Sequence, residues 1–334
     1  MTTEDQVRGS LNEIIVPAIS RSIEEMNMVR EIAIADGSIK VTLASTGLVP
    51  GAQDCIKEKA AEAIGKLDNT AQVTIEYADI PPTELNEIGN VIAVMSGKGG
   101  VGKSLVSSLV AIALQRQGSS VGILDADITG PSIPRMFGLN DRPSGNESGI
   151  LPVSSGSGIE VMSINLLLPS EDEAVIWRGP LIARAITQFW EEVVWGKLDY
   201  LIVDLPPGTA DAPLTVLQSL PVSGVVIVLT PQDLTKMIVK KAVRLVTQME
   251  KPVLGVIENM SYLYVPEIDK KIEIFGKSRG EELAKEMETP FLGQLPIDPD
   301  LAKLCDEGNV EQYEAEIIAE LGKTLSRATT ENQK

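Results

Sequence analysis

The sequence predicts an α/β protein: a mostly parallel sheet flanked by helices, with a small N-terminal α+β domain ahead of it. Three observations carry this expectation. From Val91 onward, short apolar runs alternate with helical patterns, as a parallel sheet with crossover helices requires. A glycine-rich turn over Gly97–Ser104 joins the first of these runs to an apolar-periodic helix. Ahead of both, the hairpin signal Ala35-Asp36-Gly37 separates two strand-like runs, a different and smaller pattern.

In chain order, the small domain (1–78) opens with a helix carrying Val7, Leu11, Ile14 and Ile15, interrupted at Pro17. Met28–Ile34 and Ser38–Leu43 form the hairpin, Ala52–Leu67 reads as a helix, and the alternation over Ala71–Tyr77 reads as a third strand. Residues 79–90 carry Pro81-Pro82 and little periodicity, and are expected to be a linker. The larger domain spans 91–327. Its strands are expected at 91–95, 121–125, 200–204, 224–229, 253–258 and 291–295, and its helices near 104–117, 179–194, 234–249, 278–287 and 311–328. The Gly- and Ser-rich stretch 144–158 is expected to be a mobile loop, and the tail 328–334 disordered.

Composition excludes several kinds of chemistry. The chain has 334 residues, long enough for two domains, and only 4% aromatics, so its core must be aliphatic. Its net charge of −18 argues against nonspecific nucleic-acid binding and against anionic membrane surfaces. No apolar run reaches spanning length, and Met1-Thr2-Thr3-Glu4-Asp5 lacks the character of a signal segment, so a cytoplasmic location is expected. With no histidine, Ser–His–Asp and Cys–His catalysis and His metal ligation are closed. Cys55 and Cys305, far apart in sequence, make neither a disulfide framework nor a local metal motif.

The turn after Val91–Met95 reads Ser96-Gly97-Lys98-Gly99-Gly100-Val101-Gly102-Lys103-Ser104, which satisfies G-x-x-x-x-G-K-[ST]. Glycines let successive backbone N–H groups converge on phosphate oxygens, and the helix that follows offers its positive end to the same anion. Lys103 can reach the β/γ-phosphates, and the Ser104 hydroxyl can ligate Mg²⁺. The fold expected is therefore that of a P-loop NTPase, with ATP and Mg²⁺ as ligands. Asp125 and Asp127 close the next strand and suit a Mg²⁺ shell and a positioned water; strand-end capping is the alternative. Residues 128–134 are rich in turn formers and suit a segment that moves with the γ-phosphate. Tyr200–Asp204 is an apolar strand ending in an acid, the Walker-B arrangement, and Gly208 beyond it could give an N–H to the γ-phosphate. Asn259, at another strand end, suits a base edge or a simple turn; without an N-K-x-D segment, guanine recognition is unsupported.

The early lysine, Lys98, makes the loop resemble the deviant Walker A of the signal-recognition/MinD-type NTPases. More specifically, the chain resembles the Mrp/NBP35/ApbC family of iron–sulfur cluster carrier ATPases. The matching segments are Asp125–Ser132, Ile176–Pro180, Trp195–Tyr200, Asp204–Thr209, Thr230–Asp233, Glu258–Tyr262 and Leu295–Pro299, and residues 1–78 resemble the MIP18-like domain that precedes the ATPase in many members. The resemblance implies a nucleotide-sandwich homodimer in which Lys98 reaches the partner's nucleotide, Asp127 positions the attacking water, Asn259 contacts adenine, and Pro296 lies at the nucleotide. It also implies a role in iron–sulfur cluster assembly or transfer, with apo iron–sulfur proteins or other cluster-assembly proteins as partners.

One departure stands out. The family carries Cys-Pro-x-Cys after the Asn-Met-Ser-Tyr segment, holding a 4Fe–4S cluster between subunits. Here Val265 and Ile268 occupy the cysteine positions, and the small domain's usual Cys-Pro reads Val49-Pro50. Neither Val nor Ile can ligate iron. The ATPase parts are expected to be intact and the cluster-holding parts lost. A ParA/MinD-like positioning ATPase and an ATP-dependent scaffold without a cluster are the alternatives.

Overall fold

The computed structural model describes residues 2–35, 37–128, 130–168, 179–209, 211–232 and 235–332. Asp36 of the hairpin signal, Thr129, Ile176-Trp177-Arg178, Asp233, the expected helix start at 234 and the last two residues lie outside them.

The chain packs as two compact units. The first gathers Met1–Ile88, Asp141–Ser154 and Gln188–Leu198; the second gathers Gly89–Asn140, Ser155–Thr187 and Asp199–Lys334. The first unit therefore takes in more chain than the expected 1–78 span. Its N-terminal helix α1 (Glu4–Leu11) begins in a capping box, in which Thr3 and Gln6 satisfy each other's backbone N–H groups. Strands β1 (Val29–Ala35) and β2 (Ser38–Ala44) form the expected hairpin. Helix α2 (Pro50–Leu67) then crosses over to β3 (Gln72–Ala78), which pairs with β2 in parallel. Ile56, Ala60 and Ile64 of α2 are buried with Ile39, Val41 and Leu43, and the same core includes Leu151 and Val194 from the later segments.

Two expectations are corrected in this unit. The 79–90 linker holds a short helix, α3 (Pro82–Leu85), and β4 (Glu87–Ser96) already starts at Glu87, whose N–H donates to Gly196 O at 2.9 Å. A backbone group that finds a strand partner need not stay in solvent-exposed coil. The 144–158 stretch is not a free loop either. After α4 (Lys103–Gln115), β5 (Val121–Asp125) and α5 (Ile133–Met136), it forms the short strands β6 (Gly145–Asn146), β7 (Gly149–Ile150) and β8 (Val153–Ser154). Asn146 pins it: its Nδ2 donates to Ser45 O at 2.9 Å, and its Oδ1 accepts from Gly47 N at 3.1 Å.

The second unit continues with β9 (Glu160–Ser163), α6 (Gly179–Glu192), β10 (Lys197–Asp204), α7 (Asp211–Ser219), β11 (Gly224–Leu229), α8 (Thr235–Gln248) and β12 (Val253–Glu258). A hairpin of β13 (Leu263–Val265) and β14 (Lys270–Ile272) follows, then α9 (Gly280–Glu286), β15 (Phe291–Gln294), α10 (Pro299–Asp306) and α11 (Glu316–Asn332). Its main sheet runs β15-β12-β11-β4-β10-β5-β9. The pairings of β12 with β15, β11 with β12, β11 with β4, β10 with β5 and β5 with β9 are all parallel. Val91–Met95 are fully buried, as expected of a run covered by helices on both faces.

Helix α4 is buried on nearly every side because α11 packs on it from outside. That packing corrects the disordered tail: α11 continues to Asn332, with Ala328 and Thr329 buried and Ser326 Oγ donating to Gln117 Oε1 at 3.0 Å.

Candidate nucleotide site

The central strands β4, β10 and β5 bring their C-terminal ends to one edge of the sheet, where the charged residues collect. Ser96 ends β4, and the loop that follows turns sharply enough to start α4 at Lys103. Gly100 and Gly102 adopt left-handed conformations, with φ of 79° and 76°. A Cβ on Gly102 would lie 2.3 Å from Asn259 Nδ2, and one on Gly97 would lie 2.0 Å from Ile238 Cγ2. Glycine is required here by both backbone angle and space.

Lys103 is buried, and its ammonium lies 2.7 Å from Asp204 Oδ1 and 3.8 Å from Asp127 Oδ2. Ser104 Oγ donates to Asp204 Oδ2 at 2.5 Å, and Ser107 Oγ donates to Asp204 Oδ1 at 2.6 Å. Asp204 is wholly buried, and these three donors explain how it is accommodated there. Asp125 lies directly beside it in the β5–β10 register. It accepts from Asp127 N and Ser163 Oγ, each at 3.2 Å. Burial, and after it the neighbouring Asp204 carboxylate, pushes the Asp125 carboxyl up to about 8. Two buried acids side by side with one lysine favour added positive charge.

A cavity of about 320 Å³ opens onto this group, lined by loop residues 98–105 with Ser96, Asp127, Ser132, Met136 and Pro207. The structure thus brings together Gly99–Ser104, Lys98 and Asp127, with Asp125 and Asp204 behind them. Lys98 Nζ donates to Gln232 Oε1 of its own chain at 2.6 Å. Three residues are placed differently from the simplest expectation. The buried Asn259 amide donates to Val101 O at 2.9 Å and so buttresses the loop from behind. The Gly208 N–H donates to Ser96 O at 3.0 Å rather than standing open for a phosphate. Pro296 lines a different cavity, together with Tyr262, Asp298 and Tyr313.

Sequence reasoning missed Ser107 and Ser163. Ser107 sits one helical turn after Lys103, a spacing that could have flagged it. Ser163, on a strand the sequence did not mark, carried no comparable signal.

The side chains suit Mg²⁺, which takes hard oxygen donors, keeps several waters and is held by one or two carboxylates plus phosphates. The Ser104 hydroxyl and the Asp204 carboxylate are such donors. Iron–sulfur ligation is another matter. Val265 and Ile268 stand in the β13–β14 hairpin segment, and Cys55 and Cys305 belong to different units. Among the described residues, no group of three or more His, Cys, Asp or Glu side chains could hold a metal. The residues present do not fit a cluster held by thiolates.

Fold and site together define a P-loop NTPase. A family model described as NUBPL iron-transfer P-loop NTPase matches residues 87–329, and one described as iron–sulfur cluster assembly protein matches residues 4–77. The iron–sulfur cluster carrier protein of Synechocystis sp. is 39% identical over 324 residues, covering 92% of this chain and 91% of that one. Its counterpart from Bacillus subtilis is 37% identical over 321 residues, covering 91% of each. A nucleotide-binding protein from Archaeoglobus fulgidus, solved in complex with ADP, is 47% identical with a TM-score of 0.64, over 71% of this chain and 93% of that one. The cell division ATPase MinD of Pyrococcus furiosus, 22% identical with a TM-score of 0.53 over 72% of this chain and 99% of its own, shares the fold. The chain belongs to the iron–sulfur cluster carrier family of P-loop NTPases, as the resemblance in its motifs implied.

Proposed function

We propose that this protein is a Mg²⁺-dependent ATPase that works as a homodimer in iron–sulfur cluster assembly or transfer to apoproteins, without holding a cluster through paired cysteines. The observation that carries the reading is the buried group of Lys103, Ser104 and Asp204 beneath a glycine loop and a cavity. In this reading the N–H groups of Gly97–Ser104 and the Lys103 ammonium grip the triphosphate. Ser104, Asp125 and Asp204 would hold Mg²⁺, which would supply positive charge against the phosphates. Asp127, at the cavity wall, orients water in line with the γ-phosphate. Lys98 leaves Gln232 and adds positive charge at the partner's nucleotide, where negative charge develops. Asn259 fixes the loop from behind and faces the adenine end once the nucleotide is seated; Pro296, which lines the other cavity, is left out of the grip. Loss of the γ-phosphate frees the segments near 127–134 and 205–211, changing affinity for partner proteins.

The names of the relatives and the matched N-terminal family model support the iron–sulfur role. Val265 and Ile268, standing where the resemblance implies cysteines, support an accessory ATPase rather than a cluster holder. Among the described residues no helix is long and apolar enough to cross a membrane; a cytoplasmic location is part of the proposal. The test pairs two measurements on anaerobically purified protein: Mg²⁺-ATP turnover, and iron with acid-labile sulfide after reconstitution. Turnover with substoichiometric iron is expected. A stable, stoichiometric 4Fe–4S spectrum would overturn the cluster-free reading, and no uptake of ATP or ADP with Mg²⁺ would overturn the ATPase reading.

A further inference from the structure

Strand β15 ends the main sheet, and its outer edge is open: among the described residues it pairs with β12 alone. Phe291 lies in register with Val256, whose N–H donates to Pro290 O at 2.9 Å. Gln294 lies in register with Glu258, whose carbonyl accepts from Leu295 N at 2.8 Å. In a parallel ladder, a residue bracketed in this way turns its own N–H and C=O to the other side. The backbone groups of Phe291 and Gln294 therefore face outward with no strand beyond them, a template for an added strand. Helix α9 meets β15 at Gly280, against the Phe291 ring, and α11 meets it at Ile317, over Gly293. Beside both helices opens a cavity of about 1060 Å³, whose lining includes Phe291, Gly293 and Gln294. Strands β12 and β11 stand between β15 and β4, so this edge lies about 14 Å across the sheet from the strand that carries the phosphate loop.

The charges indicate what the edge receives. Glu281 of α9, Asp300 of α10, and Glu316 and Glu320 of α11 line the cavity, and none of them has an ion-pair partner among the described residues. Glu316 and Glu320 stand one turn apart on the same helix face. Lys271, the lysine in the lining, is engaged elsewhere, with Nζ 4.2 Å from the centroid of the Tyr262 ring. The cavity is larger than the roughly 300–1,000 Å³ of small-molecule sites. An open strand edge in its lining offers main-chain bonds along a line, the way an extended peptide is held, and acidic walls select basic side chains. We propose that an extended, basic segment of a different protein adds to β15 as a further strand. Its backbone bonds to Phe291 and Gln294, and its Lys or Arg side chains lie among Glu281, Glu316 and Glu320. The inference goes beyond the ATPase reading and does not depend on it, since it names a docking surface for a partner protein away from the phosphate loop.

Fluorescence anisotropy of the full chain with labelled seven-residue peptides tests it. One peptide alternates Lys or Arg with Val, and a second carries Glu in place of each basic residue. The basic peptide is expected to bind and the acidic one not. Glu316→Lys combined with Glu320→Lys is expected to weaken binding by about tenfold or more, while ADP affinity and ATP turnover stay as in wild type. Glu58→Lys with Glu62→Lys, exposed acids at the same spacing on α2, changes net charge equally and is expected to leave peptide binding unchanged. Two N-methylated versions of the basic peptide separate strand addition from charge attraction. Methyl groups on one alternate set of amides block the edge bonds, and on the other set they leave them free. One version is therefore expected to lose binding and the other to keep it. Amide hydrogen exchange at Phe291 and Gln294 is expected to slow when the peptide binds. No binding of the basic peptide, equal binding of the acidic one, indifference to the α11 charge reversal, or N-methylated versions that bind alike overturns the strand-addition site and leaves the ATPase reading standing. Loss of ATP turnover in wild type would overturn that reading alone.

Discussion

Lys103 and Asp204 form a buried ion pair, 2.7 Å between Nζ and Oδ1, at the meeting point of the phosphate loop and the end of β10. Their relationship ties the anion grip to the cation grip: the lysine that faces phosphate in the proposed reaction is ion-paired with the acid that faces Mg²⁺ in it. Removing the lysine therefore does two things. Lys103→Ala is expected to abolish measurable ATP binding. It is also expected to lower fold stability by about 3–5 kcal/mol, the cost of leaving a buried acid without its partner. Calorimetric titration and denaturant unfolding read the two effects separately. A variant as stable as wild type would show that Ser104 and Ser107 alone satisfy Asp204.

Asp127 lines the cavity, and in the proposed reaction it positions water rather than gripping the nucleotide. Asp127→Ala is expected to keep ADP affinity within a few-fold while slowing turnover by roughly 10²–10⁴, the range typical of a lost acid–base or water-positioning group. Single-turnover hydrolysis beside ADP titration separates the two. A parallel loss of both would instead make Asp127 a structural cap.

Lys98 is held by Gln232 in the single chain. If its task lies in the partner's site, Lys98→Ala should bind nucleotide normally yet lose turnover, and mixing it with Lys103→Ala chains should restore part of the activity in mixed dimers. Steady-state assays of the mixtures check this; no recovery at any ratio would place Lys98 in its own chain's site.

Gly102 has φ of 76° and no room for a methyl group beside Asn259. Gly102→Ala is expected to cost about 1–2 kcal/mol in backbone strain alone. It should weaken ADP binding more than tenfold by pushing the Asn259 amide off Val101 O. Gly118→Ala, at φ of 87° with open space around its Cβ position and outside the loop, is the matched control and should bind as wild type does.

Asn146 staples residues 145–150 to the N-terminal unit through Ser45, Gly47 and Leu48. Asn146→Ala leaves partly buried backbone groups without partners and should destabilise that unit by about 1–3 kcal/mol. Hydrogen exchange over residues 45–48 is the direct readout, and unchanged protection there would mean the strands, not the side chain, hold the segment.

The parts of the site legible in sequence are those whose chemistry depends on local spacing. Gly97, Gly102, Lys103 and Ser104 sit in one turn, and Asp125 and Asp204 each end an apolar strand; the structure places these acids side by side. Ser163 was not legible because a hydroxyl inside a strand acquires meaning only from the carboxylate across from it. Asn259 was legible as a strand-end residue but not as a buttress of Val101, since that contact joins positions far apart in the chain. The tail was misjudged for the same reason: 328–332 looks polar and free until the packing of α11 on α4 is known.

By itself, then, the sequence determined the alternating strand and helix pattern, the phosphate loop and the family, because each depends on residue type and near-neighbour spacing. Only the tertiary structure decided that residues 141–154 and 188–198 pack with the N-terminal unit, that Lys103 rests on Asp204, and that β15 ends the sheet beside an acid-lined cavity. Those depend on which distant segments share buried volume, and hydrophobic burial, being non-directional, leaves no local trace of its partner.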